Sequence, residues 1–340
     1  MSLPAAKPGE LSLLSQIRRR AARTSSGGLS LGIGDDCALL RLGPGEELAV
    51  TTDLSIAGRH FQLGWHPPES VGHRALARGL SDLAAMGARP VAAFLSLGLP
   101  GELTKPSKRK PSWMTRFYDG LLALAEIHKT PLAGGDLALS PIPLADIVLV
   151  GAVPRRKALL RSGARPGHLL YVTGSLGGSA AGLAQLADLA AASAKRHRRL
   201  LNISDHLATQ LASHLYPQPR VPQALWLRQH ALATAAIDLS DGLSTDLAHL
   251  CTESSVTAEV DSVRLPIHPG ATLEQALHGG EDYELLFTAQ PSVQIPKSIA
   301  GVPITRIGRI LVPRKGRPLI AMVTARGKHP LEPRGWEHFS

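Results

Sequence analysis

Cysteine, aromatic residues and long apolar runs are all scarce in this sequence. Cys37 and Cys251 are the only cysteines among 340 residues, too few for a disulfide framework or for a zinc site made of cysteines. No apolar run reaches the roughly 18 residues that suggest a membrane span. These absences favour a reducing compartment, and they predict a cytoplasmic protein that does not cross a membrane.

Positive charge, by contrast, is in excess. Lysine and arginine outnumber aspartate and glutamate by 37 to 27, which gives a formal net charge of +10. Much of this excess lies in runs, such as residues 105–110 and 195–199, and a basic protein attracts nucleic acid and other phosphates. Aromatic residues make up only 4% of the chain, so few rings are available to stack on bases, and no zinc-finger or RNP signature is present. We therefore expect solvated basic loops rather than a nucleic-acid-binding surface.

The length of the chain and the alternation of its elements predict the fold class. A chain of 340 residues is long enough for two domains, each with its own core. Apolar periodicity predicts helices over residues 10–23, 68–86, 113–127 and 179–192, with two more that begin at residue 222 and at about residue 244. It predicts strands over residues 38–42, 47–50, 91–97, 132–136, 145–153, 169–172, 235–237, 283–288 and 304–310. This alternation indicates an α/β protein. The arginine-rich segment 154–166 marks the expected boundary between domains at 1–154 and 155–340.

Glycine is concentrated just before the helix predicted at residue 179. The loop Thr173-Gly174-Ser175-Leu176-Gly177-Gly178 leads into this helix, and a helix N-terminus that follows such a loop can bind phosphate. The loop lacks the lysine of a P-loop and does not fit Gly-x-Gly-x-x-Gly. Two interpretations stay open, a phosphate cradle and a tight turn.

Acidic residues recur beside glycine, serine or threonine near the ends of apolar strands. The motifs are Gly32-Ile33-Gly34-Asp35-Asp36, Thr51-Thr52-Asp53, Ser81-Asp82, Gly134-Gly135-Asp136, Asp238-Leu239-Ser240-Asp241 and Gly279-Gly280-Glu281-Asp282. Each motif alone fits a turn or a helix cap, and Asp82 fits an exposed pair with Arg78 equally well. Together they predict one site of oxygen ligands, which select Mg²⁺, Mn²⁺ or Ca²⁺ over zinc. Magnesium held by carboxylates and substrate phosphates suggests an enzyme that uses a nucleotide.

Longer strings around these motifs together resemble the thiamine-monophosphate kinase family. The strings are residues 32–36, Thr51-Thr52-Asp53 with Gly58-Arg59-His60-Phe61, Leu80-Ser81-Asp82-Leu83-Ala84-Ala85-Met86-Gly87-Ala88, Asp238-Leu239-Ser240-Asp241-Gly242-Leu243 and Gly279-Gly280-Glu281-Asp282-Tyr283-Glu284-Leu285. The resemblance runs in order over residues 9–339. The acidic motifs alone also fit the wider superfamily of aminoimidazole ribonucleotide synthetase and selenophosphate synthetase.

The resemblance implies an architecture, an assembly and a set of ligands. It implies two α/β domains with mixed sheets, as in aminoimidazole ribonucleotide synthetase, and a homodimer in which the N-terminal domains pair. The N-terminal domain would bind metal and ATP, and the C-terminal domain would complete the ATP and substrate site. ATP and thiamine monophosphate are the implied substrates, and several Mg²⁺ ions are the implied cofactors.

The resemblance also assigns roles to individual residues. The implied metal ligands are Asp36, Thr51, Thr52, Asp53, Asp82, Asp136, Asp238 and Asp241, of which Asp36, Asp53, Asp82 and Asp238 are also the implied catalytic residues. The implied nucleotide contacts are Gly135, Asp136, Arg161 and Ser240, and the implied contacts to thiamine phosphate are His60, Glu281 and Trp336. Asp35 is expected to support Asp36. From the residues alone, His60 and Trp336 fit packed side chains at least as well.

Three positions depart from the family pattern. Leu137 stands where threonine is usual, Gly79 stands where asparagine is usual, and Tyr216 stands where a more polar residue is common. None of these departures removes a carboxylate. Gly79 lies one turn before Asp82 and is expected to leave room beside it.

The chemistry expected of such a site needs no general base. The second pKa of a substrate phosphate is about 6, so the phosphate is largely dianionic at neutral pH and can itself act as the nucleophile. We expect direct in-line transfer of the γ-phosphate from ATP, without a phospho-enzyme. Two alternatives remain: another ATP-dependent member of the superfamily, acting on an amide or a selenide, and a non-catalytic protein that binds phosphate or nucleic acid.

Overall fold

The computed structural model describes residues 10–24, 26–33, 37–107, 111–195 and 203–335. The chain divides into two compact units. The first unit gathers residues 1–79, 90–152 and 193–202, and the second gathers residues 80–89, 153–192 and 203–340. The sequence-based division at residues 154 and 155 stays a prediction.

The first unit is built on a four-stranded sheet. Its elements in chain order are α1 (Glu10–Ala21), β1 (Leu29–Leu31), β2 (Leu39–Leu40), β3 (Glu46–Ile56), α2 (Pro68–Ala85), which continues into the second unit, β4 (Arg89–Leu99), α3 (Trp113–Ile127), β5 (Leu132–Leu139) and β6 (Leu144–Pro154). The strand order is β3-β6-β4-β5, with β4 and β5 parallel. Strands β3 and β5 therefore form the two edges of this sheet, and β1 and β2 form a separate two-stranded sheet.

The sequences of α2 and α3 explain why these two segments form helices. The predicted apolar stripe on α2, which comprises Val71, Ala75, Leu76, Leu80 and Leu83, is buried along its whole length. Helix α3 begins after Ser112, whose Oγ accepts a hydrogen bond from the N–H of Thr115 at 3.0 Å and so caps the helix. Burial of one face of each helix against the sheet supplies most of their stability.

The two helices approach each other backbone to backbone at a pair of glycines. A Cβ atom added at Gly72 would lie 1.9 Å from the carbonyl oxygen of Phe117, and one added at Gly120 would lie 1.8 Å from that of Glu69. The Arg116 guanidinium donates two hydrogen bonds to the Glu69 carboxylate, at 2.6 and 2.7 Å, beside this crossing. The absence of side chains at the two glycines thus sets the distance between α2 and α3.

We predict that Gly120→Ala lowers the free energy of unfolding by about 1–3 kcal/mol, as overpacking of a tight contact does. The gain of about 1 kcal/mol in helix propensity is too small to offset the clash with the Glu69 carbonyl. Urea denaturation measures the change. Gly27→Ala is the matched control, because nothing lies within 4 Å of a Cβ at Gly27, and it should change stability by less than about 0.5 kcal/mol. Equal stability of the Gly120→Ala and native proteins would contradict the prediction.

The second unit is built on a larger mixed sheet. Its elements are β7 (Leu169–Thr173), α4 (Gly178–Lys195), α5 (Asp205–Gln210), α6 (Ala212–Leu215), α7 (Val221–Gln229), β8 (Ala235–Asp238), α8 (Leu243–Glu253), β9 (Thr257–Asp261), α9 (Leu273–His278), β10 (Leu285–Ala289), β11 (Ser298–Ile299), β12 (Val302–Leu311), β13 (Ile320–Thr324) and β14 (Gly327–Pro330). The strand order is β14-β13-β9-β12-β7-β10-β8, and β11 pairs with β12. The core combines Leu243, Leu247 and Leu250 of α8 with strand residues such as Val172 and Leu286.

The predicted α/β class with mixed sheets is confirmed, and several element boundaries are corrected. Strand β5 was expected to end at Asp136 but continues to Leu139, so the carboxylate lies inside a strand. Strand β3 continues to Ile56 and includes Thr51, Thr52 and Asp53. Helix α9 and strands β1, β9, β11, β13 and β14 were not predicted. Among the residues described, we find no helix with the length and apolar character that a membrane crossing requires.

Candidate functional site

Three predicted site residues lie outside the described residues. These are Asp35 and Asp36 in the first acidic motif and Trp336 near the end of the chain. Part of each basic run, residues 108–110 and 196–199, lies outside them as well. The metal role of Asp36, the supporting role of Asp35 and the substrate contact of Trp336 stay predictions.

Strand β3 places the Thr51-Thr52-Asp53 motif on both faces of the first sheet. Side chains alternate along a strand, so Thr51 and Asp53 share one face, and Thr52 points to the other. The Arg78 Nε lies 3.6 Å from Asp53 Oδ1, and Arg78 Nη1 donates to Ser55 Oγ at 3.2 Å. Arg78, considered from the sequence as a partner of Asp82, thus contacts the Asp53 carboxylate.

The strand order separates two of the predicted metal ligands. Asp53 lies on the β3 edge of the sheet and Asp136 on the β5 edge, with β6 and β4 between them. Three interstrand spacings correspond to about 14 Å along the sheet, whereas a Mg²⁺–oxygen bond is about 2.1 Å. One copy of the first unit therefore does not bring these two carboxylates to a single ion. In the described parts of the chain, no group of three or more His, Cys, Asp or Glu side chains is arranged to hold a metal.

A cavity of about 440 Å³ lies in the first unit beside Gly135 and Asp136. Its walls include Gly134, Phe94 and Tyr118, and Leu137 also lines it. Gly135 has φ +144°, and a Cβ there would lie 1.9 Å from the carbonyl oxygen of Leu95, so only glycine fits. The cavity is of a size typical for small-molecule sites.

Sequence analysis missed Tyr118, because an aromatic residue on the buried stripe of a helix looks like core. Tyr118 lies on α3 and its side chain is buried. This burial raises the pKa of the Tyr118 hydroxyl well above its ordinary value. The hydroxyl therefore stays protonated over the whole physiological range.

Two acidic motifs meet in the second unit. The Ser81 hydroxyl, adjacent in sequence to Asp82, donates a hydrogen bond to Asp238 Oδ2 at 2.7 Å. Asp238 is buried at the end of β8, and Asp82 is half-buried on α2. Gly79 does not provide the expected room beside Asp82, because a Cβ at Gly79 would meet Leu149 Cδ1 at 2.8 Å. The contact between Ser81 and Asp238 nevertheless joins motifs that are 157 residues apart.

Asp246, which sequence analysis did not select, shapes the turn that carries Asp241. Its Oδ2 accepts hydrogen bonds from the backbone N–H groups of Asp241 and Gly242, at 3.0 and 3.1 Å. Burial, together with the negative charges of Asp238 and Asp241, raises the pKa of Asp246 to about 8. An aspartate in the first turn of a helix often accepts hydrogen bonds from the backbone before that helix. The position of Asp246 in the first turn of α8 is therefore the sequence signal that could have identified it.

The glycine-rich loop before α4 is occupied by a carboxylate of the protein. Asp282 Oδ2 accepts from the N–H of Gly177 at 2.6 Å, and Asp282 Oδ1 accepts from that of Ser179 at 3.0 Å. These donors belong to the helix N-terminus where a phosphate would bind. The structure therefore favours the tight turn over the phosphate cradle. Burial, with added repulsion from Glu284 and Glu281, raises the pKa of Asp282 to about 7.

The Glu281 loop is tied to the Asp238 motif by backbone and side-chain contacts. The N–H of Glu281 donates to the carbonyl oxygen of Ser240 at 2.8 Å, and that of Tyr283 donates to Leu239 at 2.9 Å. The buried Glu284 carboxylate accepts two hydrogen bonds from Arg220, both at 2.6 Å. Glu281, Ser240, Asp238 and Asp241 are therefore neighbours within the second unit.

His60 and Arg161 lie in turns of the first and second units, respectively. The Nδ1 of His60 accepts from the N–H of Ile56 at 3.0 Å, which assigns the proton of a neutral ring to Nε2. Arg161 is exposed in a short 3-10 turn, and its carbonyl oxygen accepts from Ser254 Oγ at 2.6 Å. The substrate role of His60 and the nucleotide role of Arg161 stay predictions.

We predict that Arg220→Met lowers the free energy of unfolding by about 3–5 kcal/mol, because it leaves the buried Glu284 carboxylate without its charged partner. Thermal and urea denaturation at neutral pH measure the loss. Arg264→Met is the matched control, since Arg264 pairs with Asp261 at the surface and such pairs contribute less than about 1 kcal/mol. Losses of similar size in the two variants would show that the buried ion pair contributes no more to the free energy of unfolding than the exposed one.

The chain is similar to known proteins over nearly its whole length. Residues 34–153 match the family model of the AIR synthase related protein, N-terminal domain, and residues 165–312 match that of the C-terminal domain. The curated thiamine-monophosphate kinase of Escherichia coli (strain K12) is 39% identical over 345 residues, which covers 98% of each chain.

Solved structures agree with the sequence comparison. The crystal structure of thiamine-monophosphate kinase from Stenotrophomonas maltophilia K279a has a TM-score of 0.73 and 36% identity, and the match covers 90% of this chain and 95% of that one. The structure of AaThiL complexed with AMPPCP and TMP has a TM-score of 0.71 and 30% identity, and the match covers 100% of both chains.

Proposed function

The chain belongs to the thiamine-monophosphate kinase family, and from this membership we propose that it transfers the γ-phosphate of ATP to thiamine monophosphate in a Mg²⁺-dependent reaction. The observation that carries the proposal is the full-length likeness to AaThiL complexed with AMPPCP and TMP. AMPPCP is an ATP analogue with a methylene group between the β- and γ-phosphorus atoms. A protein that is complexed with both AMPPCP and TMP fits an enzyme of phosphate-to-phosphate transfer.

The proposed reaction joins two phosphates directly. A terminal oxygen of thiamine monophosphate attacks the γ-phosphorus of ATP in line with the departing bridging oxygen. The new phosphorus–oxygen bond gives thiamine diphosphate, and the broken one releases ADP. The nucleophile is already anionic, so no protein residue has to remove a proton from it. What the chain supplies is alignment of two groups that repel each other.

The donor set in the second unit fits magnesium. Asp82, Asp238 and Asp241 are oxygen donors, and the Ser81 hydroxyl orients Asp238 without cancelling its charge. Hard divalent cations prefer such ligands. When bound, Mg²⁺ supplies neutralisation of the phosphate charges. We propose Asp82, Asp238 and Asp241 as ligands in this unit, with Asp36, Thr51, Thr52, Asp53 and Asp136 as ligands from the first.

The cavity beside Gly135 and Asp136 is proposed to receive ATP. The bare backbone at Gly134 and Gly135 permits close approach of a ligand, and Phe94 and Tyr118 line the same cavity. The roles of Arg161 and Ser240 toward ATP, and those of His60, Glu281 and Trp336 toward thiamine monophosphate, rest on the family resemblance.

A homodimer is proposed from an exposed apolar face on β3. Leu48, Val50 and Leu54 point to the same side of the strand and are 50%, 56% and 45% exposed. Such a patch is typical of an interaction surface. The patch lies on an edge strand, so the edge β3 of one copy is proposed to meet the edge β5 of the second. In that pairing, the edge strand that carries Asp53 in one copy would lie beside the edge strand that carries Asp136 in the other, whereas two strands separate them within a single copy.

The kinase proposal predicts that the protein converts thiamine monophosphate and ATP into thiamine diphosphate and ADP in equal amounts, and that EDTA stops the reaction. Asp82→Asn should lower the rate at least about a hundredfold with an unchanged melting temperature, because a lost ligand removes several kcal/mol of charge stabilisation. Asp188→Asn, at an exposed position on α4, is the matched control. Product quantification by chromatography measures both.

Three results would contradict this proposal. The absence of thiamine diphosphate at every magnesium concentration would exclude the kinase and favour another ATP-dependent reaction of the superfamily. Steeply salt-dependent binding of nucleic acid without affinity for ATP would favour the non-catalytic alternative. Unchanged turnover of Asp82→Asn would show that Asp82 has only a structural role.

The dimer proposal predicts that Val50→Asp weakens self-association at least about tenfold, because it places a charge in an apolar contact. Sedimentation velocity over a range of protein concentrations measures the change. Val263→Asp is the control, since Val263 is 84% exposed but belongs to the second unit. A monomeric native protein, or an unchanged association constant in Val50→Asp, would exclude this interface.

A further inference from the structure

Glu281 occupies a strained and firmly anchored loop. Its φ is +66° and that of Tyr283 is +51°, values in the left-handed region that residues other than glycine seldom adopt. The backbone contacts to Leu239 and Ser240 hold the loop on one side, and the Asp282 carboxylate holds it to the N-terminus of α4 on the other. Because the backbone is fixed, the direction of the Glu281 side chain depends on the groups that surround its carboxylate.

One group that faces the Glu281 carboxylate is a buried histidine. The Nδ1 of His214 lies 4.0 Å from Glu281 Oε2, and the side chains are 1% and 26% exposed, respectively. The same nitrogen lies 3.0 Å from the hydroxyl oxygen of Ser179. One oxygen of Glu281 thus faces a buried ring, while the side chain keeps access to solvent. This is the arrangement expected of a carboxylate that is oriented from behind and open to a ligand in front.

Helix α4 is shaped to accommodate His214. Ser179 and Gly182 are three residues apart and lie on one face of the helix. A Cβ at Gly182 would lie 2.9 Å from the Cβ of His214, so a side chain there would push the histidine away. The N–H of Ser179 also donates to Asp282, which directly follows Glu281. The start of α4 therefore reaches the loop in two ways. Ser179 contacts His214, which faces Glu281, and the N–H of Ser179 contacts Asp282 directly.

We propose that His214, held by Ser179, is a positioning residue that fixes the Glu281 carboxylate for thiamine monophosphate. The inference rests on the proposed function, because Glu281 is assigned to this substrate by family resemblance. Neither His214 nor Ser179 touches the reacting phosphates in this proposal. Their effect should appear in the binding of thiamine monophosphate and not in that of ATP.

Removal of either member of the pair should weaken the binding of thiamine monophosphate. His214→Phe retains a ring of similar size without the nitrogen, and Ser179→Ala retains the N–H bond to Asp282 without the hydroxyl. Each should raise the dissociation constant and the KM for thiamine monophosphate about two- to fivefold, because a 4.0 Å contact is longer than a hydrogen bond and restrains the carboxylate only weakly. The kcat and the KM for ATP should change less than about twofold. Ser179→Thr, which restores the hydroxyl, should recover most of the loss, and Gly182→Ala should reproduce it.

A double-mutant cycle separates positioning from general destabilisation. In a Glu281→Ala background, His214→Phe should have no further effect on the binding of thiamine monophosphate, because the group that it positions is gone. His268→Phe is the matched control, since His268 forms a comparable contact with Ser213 at 3.1 Å and is given no role toward Glu281. Its affinity for thiamine monophosphate should stay native.

Calorimetric titration and turnover together distinguish failure of this inference from failure of the proposed function. Native binding of thiamine monophosphate by His214→Phe, or equal losses for both substrates with a lower melting temperature, would overturn the positioning role. An additive effect of His214→Phe in the Glu281→Ala background would overturn it too. Binding without turnover in the native protein would contradict only the kinase proposal. No binding of thiamine monophosphate by the native protein would overturn both.

Discussion

The mutual repulsion of carboxylates in the second unit is the constraint on which the candidate site depends. Six acids are gathered where β8 and β10 meet the turns around them, namely Asp238, Asp241, Asp246, Glu281, Asp282 and Glu284. Unpaired charges in a poorly hydrated region are costly. The chain compensates with donors from distant segments: Ser81 for Asp238, the start of α4 for Asp282, and Arg220 for Glu284. These compensating contacts also bring the motifs together.

The compensation is of two kinds, and the difference separates structural from functional acids. Glu284 receives a full positive charge in two short hydrogen bonds, so its charge is neutralised inside the fold. Asp238 receives a neutral hydroxyl, and Asp246 receives two backbone amides. Neutral donors orient a carboxylate but leave most of its field in place. A region that brings several acidic oxygen donors together can bind divalent cations, which is the physical basis for the proposed magnesium ligands.

The sequence was sufficient to predict the fold class, most helices and strands, and the set of acidic motifs. It was not sufficient for the lateral order of strands, because β6 inserts between β3 and β4 although it follows them in the chain. Within one copy of the first unit, Asp53 and Asp136 therefore lie on opposite edges of the sheet, and the single metal site stays a prediction. Nor does local sequence show that the helix N-terminus at Ser179 is filled by Asp282, which lies about a hundred residues later. Contacts over such distances depend on tertiary packing, which periodicity and turn signals do not encode.

The same distinction applies to Asp53 in the first unit. Its contact with Arg78 is 3.6 Å, longer than a hydrogen bond, whereas Arg220 contacts Glu284 at 2.6 Å. Both members of the Arg78 pair also retain solvent access, at 19% and 21%, so water screens their attraction. This contact therefore restrains the Asp53 carboxylate much less than Arg220 restrains Glu284. Of these two guanidinium contacts, the one at Asp53 is therefore the easier for a cation to replace, which supports the proposal of Asp53 rather than Glu284 as a ligand.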